Sequence, residues 1–396
     1  MGDRKKMENR IYLDYAASTP LSSDVYKSML ESFTSTFGNA SSIHHFGRVA
    51  SEKLEESRTI IAKAINAKSS EIYFTSGGTE ANNWAILGLA HANKDKGNHI
   101  IVSAFEHHSV LECAKKLETE GFEVTYLPIN KKGLVDYKEL VKAIRKETIL
   151  ISIMAVNNEI GTIQPLKAIG KLAHEFGILF HTDCVQALSS VKIDVEDMAI
   201  DALTISAHKI YGPKGIGALY VKDGVRIEKL INGGEQERGL RAGTSNVPSA
   251  VGFAKATELL IKSFNEHAQN VMKVKKYFVK SLAENIGTGY TIIGSLDKSV
   301  GSIVNVSFDG VDGEAVLMLL DLAGVAVSNG AACASGSVQN SHVISAIAPS
   351  KAKGAVRFSF SYLTTFDEID YTVKELKNIL QNLRKLSPAK KSKEAK

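Results

Sequence analysis

The chain is short of cysteine and has no long apolar run, and each shortage narrows what it can be. Nowhere does it hold the roughly 20 successive apolar residues that cross a bilayer, and its first residues lack the apolar core of a secretory signal. A cytoplasmic location is therefore expected. Gly2 follows Met1 as in a myristoylation signal, but Lys6 stands where that signal needs Ser or Thr. The cysteines, Cys113, Cys184 and Cys333, are odd in number and widely spaced. That suits neither a disulfide framework nor a zinc site, so no metal is expected and any cysteine chemistry uses a single thiol. Internal repeats are absent, and low complexity is confined to the ends.

What is present describes an ordinary globular protein. With 396 residues, 44% hydrophobic and 23% charged, the chain can bury a sizeable core in one large unit with a smaller partner. The net charge of +5 rests partly on the ends, MGDRKKMENR and SPAKKSKEAK, which are too polar to fold alone. They read as solvated tails. No aromatic residue interleaves with their lysines, so no direct nucleic-acid role is expected.

Between residues 72 and 221 short apolar runs alternate with helix-like segments: IYFT, HIIVSA, VTYLPI, ILISIMAV, ILFHTDCV, ALTISA and IGALYV. Several are apolar throughout, as strands covered on both faces are, so the fold class is α/β with a mostly parallel sheet. Ligands bind such sheets at the carboxyl ends of the strands. After residue 243 comes a long helical stretch, about 249–282, that leads into a second, smaller α+β unit. That unit holds the strands SIVNVSF and AVRFSF, the helix GEAVLMLLDLA, and a closing helix opened by Thr365 and Glu368 in a capping-box pattern.

Three strand ends stand out. IYFT is followed by Ser76-Gly77-Gly78-Thr79 and a helix, where small residues let backbone N–H groups converge on an anion. Asp183 directly follows an apolar strand, where an unpaired carboxylate is costly and wants a cation. Lys209 sits between ALTISA and the turn Ile210-Tyr211-Gly212-Pro213, a junction that favours Schiff-base chemistry, whereas Lys214 reads as a surface residue. Anion loop, carboxylate and lysine together describe a holder for pyridoxal 5'-phosphate.

The text resembles the cysteine desulfurases of the class V, fold type I pyridoxal-phosphate family. The resemblance runs from residue 11 to about 382 and rests on nine motifs in the family's order. They are YLDYAAST (12–19), FGNASSIHHFGR (37–48), TSGGTEANN (75–83), EHHS (106–109), VNNEIGTIQP (156–165), HTDCVQ (181–186), SAHKIYGPKGIGALY (206–220), ERGLRAGT (237–244), and a cysteine among small residues followed by VRFS. The resemblance implies a large cofactor-binding domain over 16–262 with a central, mostly parallel seven-stranded sheet. It also implies a small α+β domain formed by 1–15 and 263–385, with 386–396 as a flexible basic tail.

Carried over residue by residue, it implies that Lys209 carries the cofactor and moves protons, with Asp183 on the pyridinium nitrogen and His107 stacked on the ring. Asn158 and Gln186 would bond the ring substituents. Gly78, Thr79, Ser206 and His208 would hold the phosphate, and Thr244 would reach the phosphate of a partner subunit in a homodimer. Arg357 would take the substrate carboxylate by its two-donor fork, near Asn39 and Asn158. Taken singly, these residues have plainer readings: His107, His108 and His208 as strand-end histidines, Arg357 as a strand residue facing solvent, Asn157 and Asn158 as turn formers. Their shared order argues against that.

Cys333 lies in a run of small residues, 328–337, with almost nothing to bury, which reads as an exposed, mobile loop. Such a thiol can take sulfur from L-cysteine, leave L-alanine, and hand on the persulfide. An ordinary thiol is mostly protonated at neutral pH, so a proton acceptor is needed, His107 or the bound substrate. Cys113, in a helical pattern, and Cys184, filling a small space, read as structural. The family wording is altered at Ala40, at Cys184 and over residues 347–354. No GHHC-like wording surrounds the cysteine, which favours the branch linked to iron–sulfur cluster assembly and tRNA thiolation, with an acceptor protein as partner. The alternatives are a selenocysteine lyase or aminotransferase on the same scaffold, and a catalytically silent binding protein. Intact Lys209, Asp183, Cys333 and Arg357 argue against the silent protein. The glycines near 215 form no GxGxxG loop, which removes a dehydrogenase.

Overall fold

A computed structural model describes residues 10–329 and 341–386. Its strands, in chain order, are β1 (Ile11–Tyr12), β2 (Ile72–Thr75), β3 (His99–Ser103), β4 (Glu123–Leu127), β5 (Thr148–Ser152) and β6 (Leu179–Asp183), then β7 (Ala202–Ser206), β8 (Gly217–Val221), β9 (Tyr290–Ile293), β10 (Ile303–Phe308), β11 (Val325–Ala326) and β12 (Ala355–Ser359). The seven apolar runs form one seven-stranded sheet in the order β2-β8-β7-β6-β5-β3-β4. Only β8 runs against the others. β3, β5, β7 and β8 are buried along their whole length, which is why their sequences carry no alternation.

The apolar text overruns the strands where a functional group interrupts the ladder. ILISIMAV reads as a strand through residue 156, but β5 stops at Ser152. Met154 gives its N–H to the carboxyl of Glu106, 2.7 Å away, instead of to a neighbouring strand. The segment stays buried, so composition alone does not reveal the break.

The forty-residue helix Val247–Ile286 extends the connector read from the sequence at both ends, and the Asn246 side chain caps its start by accepting from Ser249 N. Its first half packs on the helices Ser23–Ser35 and His45–Ala64, and it also meets the closing helix Phe366–Leu386. The expected capping box is present there: Thr365 N–H donates to Glu368 at 2.7 Å, and Glu368 N–H donates to Thr365 Oγ1 at 3.2 Å.

The core beneath the large sheet includes Phe105, Phe180 and Phe253. A second core gathers Leu13, Phe278, Phe308, Phe358 and Leu376 around the three-stranded sheet β12-β10-β9. Burying each such phenylalanine contributes roughly 1.5–3 kcal/mol. The large core also recruits Ile293, Val300, Ile303, Val343 and Ala355, and β1 pairs with β11 in a separate two-stranded sheet. Among the described residues no helix is long and apolar enough to cross a membrane.

Candidate active site

Because β2, β6 and β7 run the same way, their carboxyl ends share one edge of the sheet, and the three groups singled out in the sequence meet there. After β2 the helix Gly78–Ala92 begins at Gly78, presenting N–H groups without an intrahelical partner. A Cβ at Gly78 would stand 2.7 Å from Cγ2 of Val185 and 3.8 Å from Cβ of Ser206. Only glycine fits this contact. Ser206, at the end of β7, is buried, and its Oγ has no hydrogen-bond partner. A buried orphan hydroxyl beside a helix start is a cradle for an anion. Thr79 is exposed beside it. Glu80, in the same turn, is neutralised by Arg241 at 2.8 Å.

Asp183 ends β6 with 4% of its surface exposed. Its Oδ2 accepts from Asn82 Nδ2 at 2.7 Å and its Oδ1 from the N–H of Val185 at 2.8 Å. Among the described residues it forms no ion pair, so a buried carboxylate rests on neutral donors alone. Lys209 lies in the single turn Ala207–Lys209 after β7, and its Nζ donates to the carbonyls of Ala16 and Ala17 at 2.5 and 2.9 Å. Gln186 donates to the same Ala16 oxygen at 2.7 Å. His208 is half-buried against Ser18, and burial, with Lys209 and Lys214 nearby, lowers its pKa to about 4. It is neutral at pH 7.

His107 caps the helix His108–Thr119, its Nδ1 accepting the N–H of Ser109 at 3.1 Å. Just before it, Glu106 is fully buried, bonded to Ser103 Oγ and Met154 N–H, and burial raises its pKa to about 8. His342 Nε2 reaches the Glu106 carbonyl at 3.1 Å.

Arg357, in β12, is 2% exposed, so it does not face solvent. Its guanidinium donates to the Asn158 carbonyl at 2.9 Å and pairs with Asp14 at 2.8 Å, while its buried Nε–H has no partner. Asn157 shapes the turn, its Oδ1 accepting from Glu159 and Ile160 N–H, whereas Asn158 lies beside Arg357. The buried Glu159 next to it, with its pKa raised by burial, accepts from Ser341 Oγ at 2.5 Å. Asn39 is exposed, with its Oδ1 on Ser41 N–H, and no described hydrogen bond joins it to Arg357 or Asn158. Thr244 is exposed as well.

Cys333 and the loop expected around it lie outside the described residues. On either side of that stretch a described residue is anchored at the site: Ser328 pairs with Arg357 as an isolated bridge, and Ser341 bonds to Glu159. Cys113 and Cys184 are buried, and burial pushes both thiols up, Cys113 to about 11. Neither ionises at neutral pH. Asp14, Asn82, Ser109, Glu106 and Glu159 escaped the sequence reading. All five lie within the quoted motifs, but each also has a partner distant in sequence that only the fold supplies.

The residues present fit pyridoxal phosphate on three observations: the orphan Ser206 hydroxyl at a helix start, the buried Asp183 with no cation among the described residues, and Lys209 on the same edge. Comparison with known proteins agrees. Residues 11–372 match the model of the family described as Aminotransferase class-V. A protein of Dictyoglomus turgidum named cysteine desulfurase IscS is 49% identical over 386 residues, covering 97% of this chain and 98% of that one. One of the same name from Methanosarcina thermophila is 45% identical, covering 98% and 96%. A solved NifS-like protein superposes with a TM-score of 0.88 at 36% identity over 94% of this chain and all of that one. The structure titled SspA in complex with cysteine gives 0.78 at 39% identity over 90% and 100%.

Proposed function

The chain belongs to the class-V aminotransferase family as a pyridoxal-phosphate-dependent cysteine desulfurase acting on L-cysteine, and on that premise we propose how its own residues share the work. The observation that carries this reading is Asp183, a buried carboxylate with no cation among the described residues, on the strand edge that also holds Lys209.

Asp183 would meet the pyridinium nitrogen of the cofactor, and Lys209 would hold it through its aldehyde. Gly78, Thr79, Ser206 and His208 would hold its phosphate. His107 would cover its ring, and Asn158 and Gln186 would bond its substituents. When bound, the cofactor supplies an electron sink for the Cα of the amino acid.

Arg357 orients the substrate carboxylate with the N–H donors that Asp14 and Asn158 leave available, and Asn39 closes from the exposed side. Lys209 Nζ moves the proton at Cα. The Cys333 thiolate bonds to the substrate sulfur as the Cβ–S bond breaks, Cβ takes up a proton, and L-alanine leaves. Cys333 keeps the sulfur as a persulfide and passes it to an acceptor protein, an iron–sulfur scaffold or a tRNA-thiolation relay, in the cytoplasm. Within this proposal 16–262 act as the cofactor domain, and 1–15 with 263–385 as the smaller one.

Two chains form the working unit. Tyr26, Leu30, Phe33, Phe37, Ile43 and Phe46 are all at least half exposed, Ile43 at 92%. So much apolar surface on one stretch of a soluble chain marks an interface. Thr244, exposed on its own chain, is the residue the partner's phosphate site receives.

Sulfide and alanine release from L-cysteine, with a reductant present, tests this. Cys333→Ala should lose sulfide release by at least about 100-fold while keeping the visible band of the bound cofactor. Lys209→Ala should lose both the release and the wild-type band. Sulfide release by Cys333→Ala at the wild-type rate would instead support a selenocysteine-lyase-like reaction that needs no acceptor thiol.

A further inference from the structure

Two side chains, Asn82 and Ser109, join Asp183 to His107 in a line of three hydrogen bonds. Asn82 Nδ2 donates to Asp183 Oδ2 at 2.7 Å and to Ser109 Oγ at 2.8 Å. Ser109 Oγ in turn lies 2.8 Å from His107 Nδ1, which also accepts the Ser109 N–H at 3.1 Å. Asn82 is 1% and Ser109 7% exposed, so water does not compete for these bonds.

The direction of every bond follows from one end. An ionised carboxylate only accepts, so Asp183 takes the NH₂ side of Asn82 and fixes the amide's orientation. The second hydrogen of that NH₂ goes to Ser109 Oγ, which must then turn its own hydrogen elsewhere. The atom in reach is His107 Nδ1. That nitrogen already accepts the backbone N–H of Ser109, and a ring nitrogen that accepts carries no proton. With Nδ1 bare, the neutral ring has its proton on Nε2.

We infer that Asn82 and Ser109 are positioning residues that transmit the donor demand of Asp183 to His107 and hold its ring neutral with the proton on Nε2. The inference rests on the reading of His107 as the residue over the cofactor ring. It assigns that residue a direction: His107 enters the reaction as a hydrogen-bond donor, and the proton of the Cys333 thiol goes to another acceptor. Donors on Nδ1 also favour the neutral ring over the cation. The charged and titratable groups around the ring are Asp183, Glu106, Glu159, His108 and His342, with Lys209 on the same sheet edge. Their presence makes the relay's share measurable only as a difference between variants.

The test uses the full-length holoenzyme labelled with ¹⁵N-histidine, the His107 signal being the one absent from His107→Gln. Two-bond proton–nitrogen spectra should show His107 with its proton on Nε2 and a titration midpoint below the ordinary histidine value. Removing one donor in Ser109→Ala should raise that midpoint by about half to one pH unit, and the acid limb of kcat/KM should move with it. Ser109→Thr, which keeps the hydroxyl, should return both toward wild type. A His107 proton on Nδ1 in the wild type overturns the relay, as does a midpoint unmoved in folded Ser109→Ala. The broader reading fails differently: His107→Gln would then keep wild-type turnover and an unchanged cofactor spectrum.

Discussion

Arg357 illustrates what a single residue can and cannot disclose. Its chemistry was legible in VRFS: a fixed fork suited to a carboxylate. Its burial and its clamp were not, because Asp14 lies 343 positions away and nothing local to either residue signals the other. Two of its donor nitrogens serve the protein, and among the described residues Nε–H is buried without a partner; the proposed function gives the donors left over to the substrate. Arg357→Lys keeps the charge against Asp14 but loses the fork, so KM for L-cysteine should rise about 10- to 100-fold with little change in thermal unfolding. An unchanged KM with a lowered unfolding temperature would make Arg357 a structural clamp alone. Lys209, Asp183 and Ser206 were easier to read, since each ends or follows an apolar strand, and a strand end in a parallel sheet already says where it will sit.

Elements were legible wherever burial was uniform, and less so where side chains replace the ladder. The loop holding ERGLRAGT shows the second case. Glu237 sits in the left-handed region at φ 46° and is buried, and its carboxylate receives Arg58 through bonds of 2.7 and 3.0 Å and the N–H of Phe74 at 2.8 Å. Thus the helix His45–Ala64, strand β2 and the loop carrying Thr244 are pinned by one ion pair. Removing one partner leaves a buried charge, so Arg58→Met should cost about 3–5 kcal/mol in urea unfolding. The double variant Arg58→Met/Glu237→Met should recover much of that loss. Equal losses for single and double variants would show that the pair's charge is not what matters there. The motif was visible in the sequence, but its function as a staple was not, because the ion pair spans 179 positions.

At the scale of the whole molecule, the apolar surface between Tyr26 and Phe46 and the exposed Thr244 are the features that one chain alone does not explain. In sedimentation at micromolar concentration the protein should travel as two chains. Phe33→Asp with Ile43→Asp should give single chains that have lost most of their turnover, because each site would lack its partner's Thr244. A wild-type protein that is fully active as a single chain would refute the shared site. The sequence by itself determined the fold class and the cofactor, because parallel buried strands and the chemistry at their ends are written in consecutive residues, and the reaction followed from the order of motifs that the chain shares with a known family. Only the tertiary structure decided that Asp183 meets no cation among the described residues, that Arg357 pairs with Asp14, and that Asn82 and Ser109 connect Asp183 to His107. Such facts depend on which donors and acceptors meet in a dry interior, and hydrogen bonds reach about 3 Å in space however far apart their partners lie in the chain.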